Sequence, residues 1–432
     1  MPHPRNKKMR DIRFVQDHRL DDVRQLALQA GRYPDVDLPW ALRQIAGWQT
    51  ARQKIPAWAE NDAIEYPVHL SMEQCSSQAT AEYKARLAAR LLPNGQRLID
   101  LTGGFGVDCS FMAQAFPSAT YVERDEALCQ VAQHNFSALH QSHISVVNAS
   151  AEEFLSSLQP QPATLIFLDP ARRAISGART YSIEDGTPNV LALQSALLQQ
   201  AEAVVVKLSP MLDWHRAVQQ LNEQQPCVSE VHILAVKNEV KELLIVLQRE
   251  LSEPLTLFCV NDEEEEIFRP TGFENSSSKI QDLGFKLSGI SGNSGNSGSQ
   301  EINAFHVTSS IKNVSFLFLP NSAIMKGGCF AELAQRYHLK AAGNDSHLFF
   351  AEQVPTSFPG RVFRILGTST MNKKEVRQLL QGIECANIAV RNFPLTVAQL
   401  KKRLHLRDGG DHYLFATTLA DKSHVLFLCE KI

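Results

Sequence analysis

No apolar run in this chain approaches the roughly 20 residues that a membrane helix needs. The longest, such as Ala203–Val206 and Leu243–Leu247, suit buried strands instead. The basic first ten residues lead into no apolar core segment, so no secretory signal is expected. The eight cysteines include no C-x-x-C pair, which argues against a disulfide scaffold and a cysteine-based zinc site. They read as reduced core residues of a cytoplasmic protein. Neither G-x-S-x-G nor G-x-x-x-x-G-K-[ST] occurs, so a hydrolase elbow and a nucleoside-triphosphate loop are not expected. His134, His140 and His143 crowd one stretch without a matching carboxylate motif; they read as a solvated helix end, and no metal is expected. A formal net charge of −3 points to no particular partner.

What is present is a globular composition, 44% hydrophobic and 21% charged, in a chain of 432 residues, long enough for two to four domains. Residues 1–70 read as an N-terminal helical domain. Asp21-Asp22 opens one apolar periodicity, which Gly31 and Pro34 end; Asp37 caps a second with Pro39 in its first turn, and Pro56 stops it. Residues 71–250 alternate short apolar strands with helices. Strands are expected at Arg97–Leu101, Thr120–Glu123, Ile144–Asn148, Thr164–Leu168 and Ala203–Lys207, then a hairpin of Val231–Val236 and Leu243–Gln248. Such alternation implies an α/β, Rossmann-like, largely parallel sheet. Residues 251–355 read as a connecting α+β region. Within it Asp262–Glu266 reads as a solvated acidic loop and 288–299 as a flexible Gly/Ser/Asn loop. Residues 356–432 form a C-terminal α+β module.

The chemistry concentrates at strand ends. Leu98-Ile-Asp-Leu-Thr-Gly-Gly-Phe-Gly-Val-Asp108 runs from a strand through a glycine-rich turn into a helix. Glycines at 103, 104 and 106 let a ligand lie against bare backbone, and the helix N-terminus offers N–H groups to a carboxylate. Asp100 can meet an ammonium group. The turn reads G-G-x-G-x-D rather than the dinucleotide fingerprint, and alone it serves equally as a structural turn. Glu123 ends the second strand about 20 residues later, where an acid accepts from two ribose hydroxyls. Asn148-Ala-Ser-Ala-Glu-Glu-Phe154 follows the third strand at the adenine position. Leu168-Asp-Pro-Ala-Arg-Arg173 ends the fourth: Asp169 faces the reaction site, and Pro170 stiffens the turn. A carboxylate plus carbonyls there can hold an amine's N–H groups and aim its lone pair at an electrophilic methyl group. Arg172 and Arg173 suit either phosphate or salt bridges. Lys207, after the fifth strand, either contacts substrate or caps the strand.

In this order the motifs resemble class I S-adenosylmethionine-dependent methyltransferases, and more narrowly the bacterial family with a THUMP-like C-terminal domain. Further matching stretches are Gln44–Gly47, Leu70–Ser77, Lys237–Glu242, Pro320–Gly327, Phe358–Arg361 and Arg391–Pro394. The resemblance implies a seven-stranded methyltransferase sheet with S-adenosylmethionine as donor. It assigns the methionine part to Asp100, Thr102, Gly103, Gly104 and Gly106, the ribose to Glu123 with Arg124, and the adenine to Ser150 and Ala151. It puts Asp169, Pro170 and Arg172 at the catalytic position, and Gln78 and Thr80 in a segment closing over the cofactor. Two positions depart from the pattern. Ser150 is neutral where an Asp is common. Ala171 and Arg172 replace the second Pro and the aromatic of the amine-methylating motif, which removes the ring that stacks on a flipped base. Phe105 and Tyr181 are candidate replacements.

Residues 361–410 carry ten basic and three acidic side chains in a chain acidic overall. Such an excess is the footprint of a phosphate-binding surface or of a solvated helix face. With the THUMP-like resemblance it points to structured RNA, contacted by Lys401, Lys402 and Arg403, with Arg173 and Lys207 nearer the reaction site. The expected activity is methyl transfer to a nucleobase amine of RNA. The alternatives are a methyltransferase for a protein or small molecule, and a non-catalytic RNA-binding protein that keeps the fold.

Overall fold

The computed structural model describes residues 4–161, 164–172, 183–270, 314–343 and 345–432. The expected 288–299 loop, Arg173 and Tyr181 lie outside the described residues, as does the side chain of Arg172. The chain divides into two compact units, Met1–Leu234 with Lys241–Leu255, and Ala235–Val240 with Thr256–Ile432.

Six helices open the first unit: α1 (Pro4–His18), α2 (Val23–Leu28), α3 (Leu38–Lys54), α4 (Pro56–Ala59), α5 (His69–Gln74) and α6 (Gln78–Leu91). Asp22 caps α2 by accepting from the N–H groups of Arg24 and Gln25, and Asp37 caps α3 through Trp40 with Pro39 in its first turn. The apolar faces of α1 to α3 enclose Phe14, Leu26, Ala41 and Ile45. Gln44 clamps the backbone of Tyr66 from both sides, accepting its N–H at 2.7 Å and donating to its carbonyl at 3.0 Å.

The sheet follows: β1 (Arg97–Asp100), α7 (Val107–Ala113), β2 (Ser118–Glu123), α8 (Glu126–Ala138), β3 (Ile144–Asn148), α9 (Ala151–Ser157), β4 (Thr164–Leu168), β5 (Ala171–Arg172), β6 (Gly186–Thr187), α10 (Val190–Gln200), β7 (Ala203–Leu208), α11 (Trp214–Asn222), β8 (Val228–Val236) and β9 (Glu239–Gln248). The strands of this unit lie in the order β3-β2-β1-β4-β7-β9-β8. Pairings from β3 through β7 are parallel, and β9 runs antiparallel to β7. β4 and β7 are buried along their whole length, as strands covered by helices on both faces must be. The hairpin turn is only Lys237 and Asn238, both at positive φ, so β9 starts four residues sooner than the polarity of Lys237–Glu242 suggests. β5 and β6 make a separate short antiparallel ribbon directly after Asp169-Pro170. Strand order reverses between β1 and β4, which opens a crevice above their carboxyl ends.

The second unit holds the hairpin of β10 (Thr256–Asn261) and β11 (Glu264–Phe268), then β12 (Phe316–Pro320), α12 (Ser322–Gly327), α13 (Phe330–Arg336), β13 (Lys340–Ala341), β14 (Phe349–Ala351), β15 (Gly360–Thr370), α14 (Lys373–Leu379), β16 (Asn387–Arg391), α15 (Val397–Leu404), β17 (His412–Thr418) and β18 (His424–Lys431). β12 to β18 form one sheet in the order β13-β14-β12-β15-β18-β17-β16. The border drawn in the sequence at 355/356 therefore falls between two strands of one sheet. The acidic run 262–266 is not simply a solvated loop, because Glu264–Glu266 belong to β11. Alternation places Phe268 in the core and directs Glu266 to Arg336 and Tyr337, so the charges edge a strand rather than a free turn. Among the described residues no helix is long and apolar enough to cross a membrane.

One hydrogen-bonded chain ties α6 to the sheet. Tyr83 Oη lies 2.8 Å from Nδ1 of the fully buried His232, whose Nε2 lies 2.9 Å from Glu230, and Arg90 forks onto the same carboxylate. Burial pushes Glu230 up, but Arg90 and His232 outweigh it and hold its pKa at about 2. A depressed carboxylate stabilises the fold fully above its unfolded value, about 4.3, and loses that contribution as pH falls toward the folded value. Arg90→Met is expected to cost about 1 kcal/mol at pH 7 in denaturant unfolding, with the gap from wild type narrowing by about pH 3. An undiminished gap at the lower pH would assign the loss to packing of the arginine stem.

Candidate active site

The carboxyl ends of β1, β2, β4 and β7 open onto a cavity of about 860 Å3, within the range of small-molecule sites. Register sets its floor: Asp100 pairs with Phe167, so Asp169 stands just beyond the β4 end beside the glycine turn. Thr102 Oγ1 accepts the Asp169 N–H at 2.6 Å and locks the two loops together.

The turn itself approaches β2 closely. A Cβ on Gly103 would lie 2.1 Å from the Tyr121 ring, so only glycine fits there. Gly106 caps α7 at φ 89°, a conformation that side chains rarely adopt. The Tyr121 hydroxyl donates to the Gly104 carbonyl at 2.5 Å. The Gly104 N–H donates to Glu123 Oε2 at 2.9 Å, and Glu123 Oε1 takes the Asp125 N–H, so this carboxylate is held in place by main chain at the cavity wall.

Most residues singled out in the sequence meet in this one cavity: Asp100, Thr102, Gly103, Gly104, Gly106, Glu123, Arg124, Ser150, Ala151, Asp169, Pro170 and Lys207 all line it. Others do not. Thr80 sits in the first turn of α6, 2% exposed, its hydroxyl directed to the Ser77 carbonyl; it is a helix-start residue, away from the cavity wall. Gln78 accepts from the Ala57 N–H and donates to Glu82. The Phe105 ring turns inward against Trp58, 5.0 Å between centroids, so it presents no stacking surface. The Ser150 hydroxyl caps α9 in a reciprocal box with Glu153, and what it offers the cavity is the start of that helix. Lys401, Lys402 and Arg403 belong to the second unit. Lys401 is paired with Asp408, while Lys402 and Arg403 are exposed on α15.

The unforeseen part lies beneath Asp169. Lys207 Nζ binds Asp169 Oδ2 at 2.6 Å and Ser76 Oγ at 3.2 Å, with Asp108 Oδ2 at 3.6 Å. Lys84, with a fully buried side chain, donates to Ser76 Oγ at 2.8 Å and Glu242 Oε2 at 2.5 Å and is ion-paired with Asp108 Oδ1 at 3.0 Å. Ser76 Oγ donates in turn to Asp108 at 2.7 Å. Burial opposes the charge on Lys207, yet Asp169, Asp108 and Glu242 hold its pKa well above the usual lysine value; it is an ammonium, not a base. Burial likewise opposes ionisation of Asp108, and the two lysines overcome it. Asp169 is raised, burial outweighing Lys207, although cleft water reaches 38% of its side chain. Burial pushes Asp100 to about 8, with Asp108, Asp169 and Glu123 adding repulsion. The hydroxyl at Ser76 falls in the Leu70–Ser77 stretch already noted, but nothing in the sequence joins it to Lys84 or Glu242.

Seven acidic and three basic residues line the cavity, which therefore favours a cation. Bare main chain, a fixed ribose-height carboxylate and an acid-rich floor fit a sulfonium nucleoside with an amino-acid tail. Among the described residues no cluster suited to a metal ion occurs.

Over its whole length the chain is similar to the crystal structure of an inferred methyltransferase from Porphyromonas gingivalis W83, at 27% identity and TM-score 0.76, with 100% of each chain covered. An rRNA methylase from Streptococcus thermophilus shares 13% identity over 39% of this chain and 95% of its own, at TM-score 0.31. SMU.1697c, an inferred methyltransferase from Streptococcus mutans in complex with SAH, shares 13% identity over 39% of this chain and 96% of its own, at TM-score 0.29. Residues 360–431 match the model of the THUMP domain-like family, and 316–359 that of a ferredoxin-like domain. No curated protein matches the sequence. The full-length match gives the chain a methyltransferase fold, a Rossmann-like core with a THUMP-like C-terminal module.

A cationic ligand favours the ionised form of Asp100, so binding below about pH 8 is expected to expel a proton and to strengthen as pH rises from about 6. Calorimetry of S-adenosylmethionine binding near pH 6.5, in two buffers of different ionisation enthalpy, reads that proton. Its release should vanish in Asp100→Asn; equal release in both proteins would place the titrating group elsewhere.

Proposed function

We propose that this is a cytoplasmic enzyme that methylates a nucleobase nitrogen of structured RNA. The observation that carries the reading is that Asp169 shares one cavity with the glycine turn and Glu123, with its Oδ2 tied to Lys207 and its Oδ1 without a hydrogen-bond partner among the described residues. In this reading Asp100, Thr102, Gly103, Gly104 and Gly106 hold the methionine part of the donor, Glu123 with Arg124 the ribose, and the α9 start at Ser150 and Ala151 the adenine. S-adenosylmethionine supplies the electrophilic methyl group. Asp169 Oδ1 and the stiff carbonyl run at Pro170 accept N–H bonds from the acceptor and aim its lone pair along the line of transfer. Lys207, being an ammonium, takes no proton; it keeps the carboxylate oriented. Arg172 and Arg173 would meet the phosphate beside the acceptor base.

RNA is favoured by the THUMP domain-like match and by Lys402 and Arg403, two exposed cations on α15 that supply the charge phosphates require. A cytoplasmic setting is favoured by eight cysteines that are all free thiols. A second reading, a protein or small-molecule acceptor, is favoured by one finding. The two aromatic residues lining the cavity among the described residues, Phe105 and Phe167, are both buried in the core and leave no ring for a flipped base.

Tritiated donor incubated with total bacterial RNA, followed by digestion to nucleosides, tests the first reading. Label is expected in one modified nucleoside. Label in protein or small metabolites alone would favour the second. Asp169→Ala is expected to lower turnover at least about 100-fold with donor affinity nearly unchanged, whereas Glu123→Ala should abolish donor binding. Equal loss of both properties in Asp169→Ala would remove Asp169 from the acceptor side.

A further inference from the structure

Among the described residues Lys84 is the one lysine whose side chain is completely enclosed, and it reaches neither solvent nor cavity. It donates to Ser76 and Glu242 and forms an ion pair with Asp108. The same three groups surround Lys207, with Ser76 Oγ accepting from both ammonium groups. In formal charge the cluster holds two cations, Lys84 and Lys207, against three anions, Asp108, Asp169 and Glu242. A buried charge of this kind persists only when paired, and removing one partner leaves the other uncompensated.

We infer that Lys84 and Glu242 are positioning residues for Asp169: by neutralising Asp108 and sharing Ser76, they keep Lys207 on Oδ2 and present Oδ1 to the acceptor. The inference rests on the reading of Asp169 as the acceptor-side carboxylate. Asp169 is faced by Lys207 from β7, Asp108 from α7, Glu242 from β9 and Asp100 from β1. Without Lys84, Asp108 and Glu242 lose their shared counter-charge, and Lys207 is drawn toward them and away from Asp169. Without Glu242, one of the repelling anions is gone and Lys207 is left more fully to Asp169. The two losses thus act on Asp169 in opposite directions. A scaffold role for the cluster would move it in one direction or not at all.

The test needs no acceptor. In full-length protein carrying 13C-carboxyl aspartate, the Asp169 resonance is the one missing from Asp169→Asn, and its midpoint is followed with pH. In Lys84→Met the midpoint is expected to rise by about one pH unit, and in Glu242→Gln to fall by a similar amount. The double variant, which keeps the formal charge of the cluster, is expected to return close to wild type. It also folds under conditions where a lone buried charge prevents Lys84→Met from folding. Unchanged midpoints, shifts of the same sign, or a double variant that does not return toward wild type would overturn the proposal. With labelled donor and RNA, the single variants are expected to lose at least about tenfold in kcat while donor affinity stays within about threefold. Were Asp169→Ala to retain turnover, the reading of Asp169 itself would fail, whatever the midpoints do.

Discussion

Mutual repulsion among carboxylates is the constraint around which the cleft is built. Asp100, Asp108, Asp169 and Glu242 arrive from four elements at the carboxyl edge of one sheet, with Glu123 at the wall. Held this close away from bulk water, they would take up protons or push the strand ends apart. Two lysines prevent that on one side of the group. Lys207 serves Asp169, and Lys84 serves Asp108 and Glu242. Among the described residues Asp100 has no such partner and its carboxylate accepts only the Thr102 N–H, which leaves it as the point where an incoming cation relieves the field. The same electrostatics thus separates a compensated, rigid side at Asp169 from an uncompensated side at Asp100.

Rigidity is supplied from behind by the helical region. Trp58 and Tyr66 pack on Phe105, the non-glycine residue in the middle of the turn, and Gln44 fixes the Tyr66 backbone. Tyr121 presses on Gly103 from the sheet side. The turn is gripped between these two sets of rings, which lets a stretch with three glycines hold one conformation. A bound ligand then meets main chain already in place, and little ordering entropy opposes binding.

The second unit distributes its charge differently. Much of the basic excess is locally answered, by Asp408 at Lys401, Glu384 at Arg407 and Glu430 at Arg364. Lys402 and Arg403 extend from α15, whose other face buries Leu400. A raw count of basic residues therefore overstates the charge open to phosphates, although its sign stands.

The strands, the parallel sheet and the glycine turn were legible in the sequence, because each follows from local rules. Apolar runs bounded by turn residues become buried strands, and closely spaced glycines after a strand admit close backbone approach. Strand-end acids could be placed along the cleft by counting from the turn. Local rules said less about individual side chains. Thr80 serves a helix start away from the cavity wall, Ser150 caps α9 while lining the cavity, Phe105 is claimed by Trp58, distant in sequence, and the acidic run at 264–266 is drawn into a strand by β10. The lysine cluster lay beyond such rules altogether. Lys84 has the look of an ordinary charge on an Ala-rich helix, and Glu242 that of a polar turn; they lie 158 residues apart in the chain. Local sequence determines which segments are strands and where backbone can lie bare. Which charges share one dry space is decided only when the sheet closes, because the cost of burying a charge depends on the neighbours that folding brings to it.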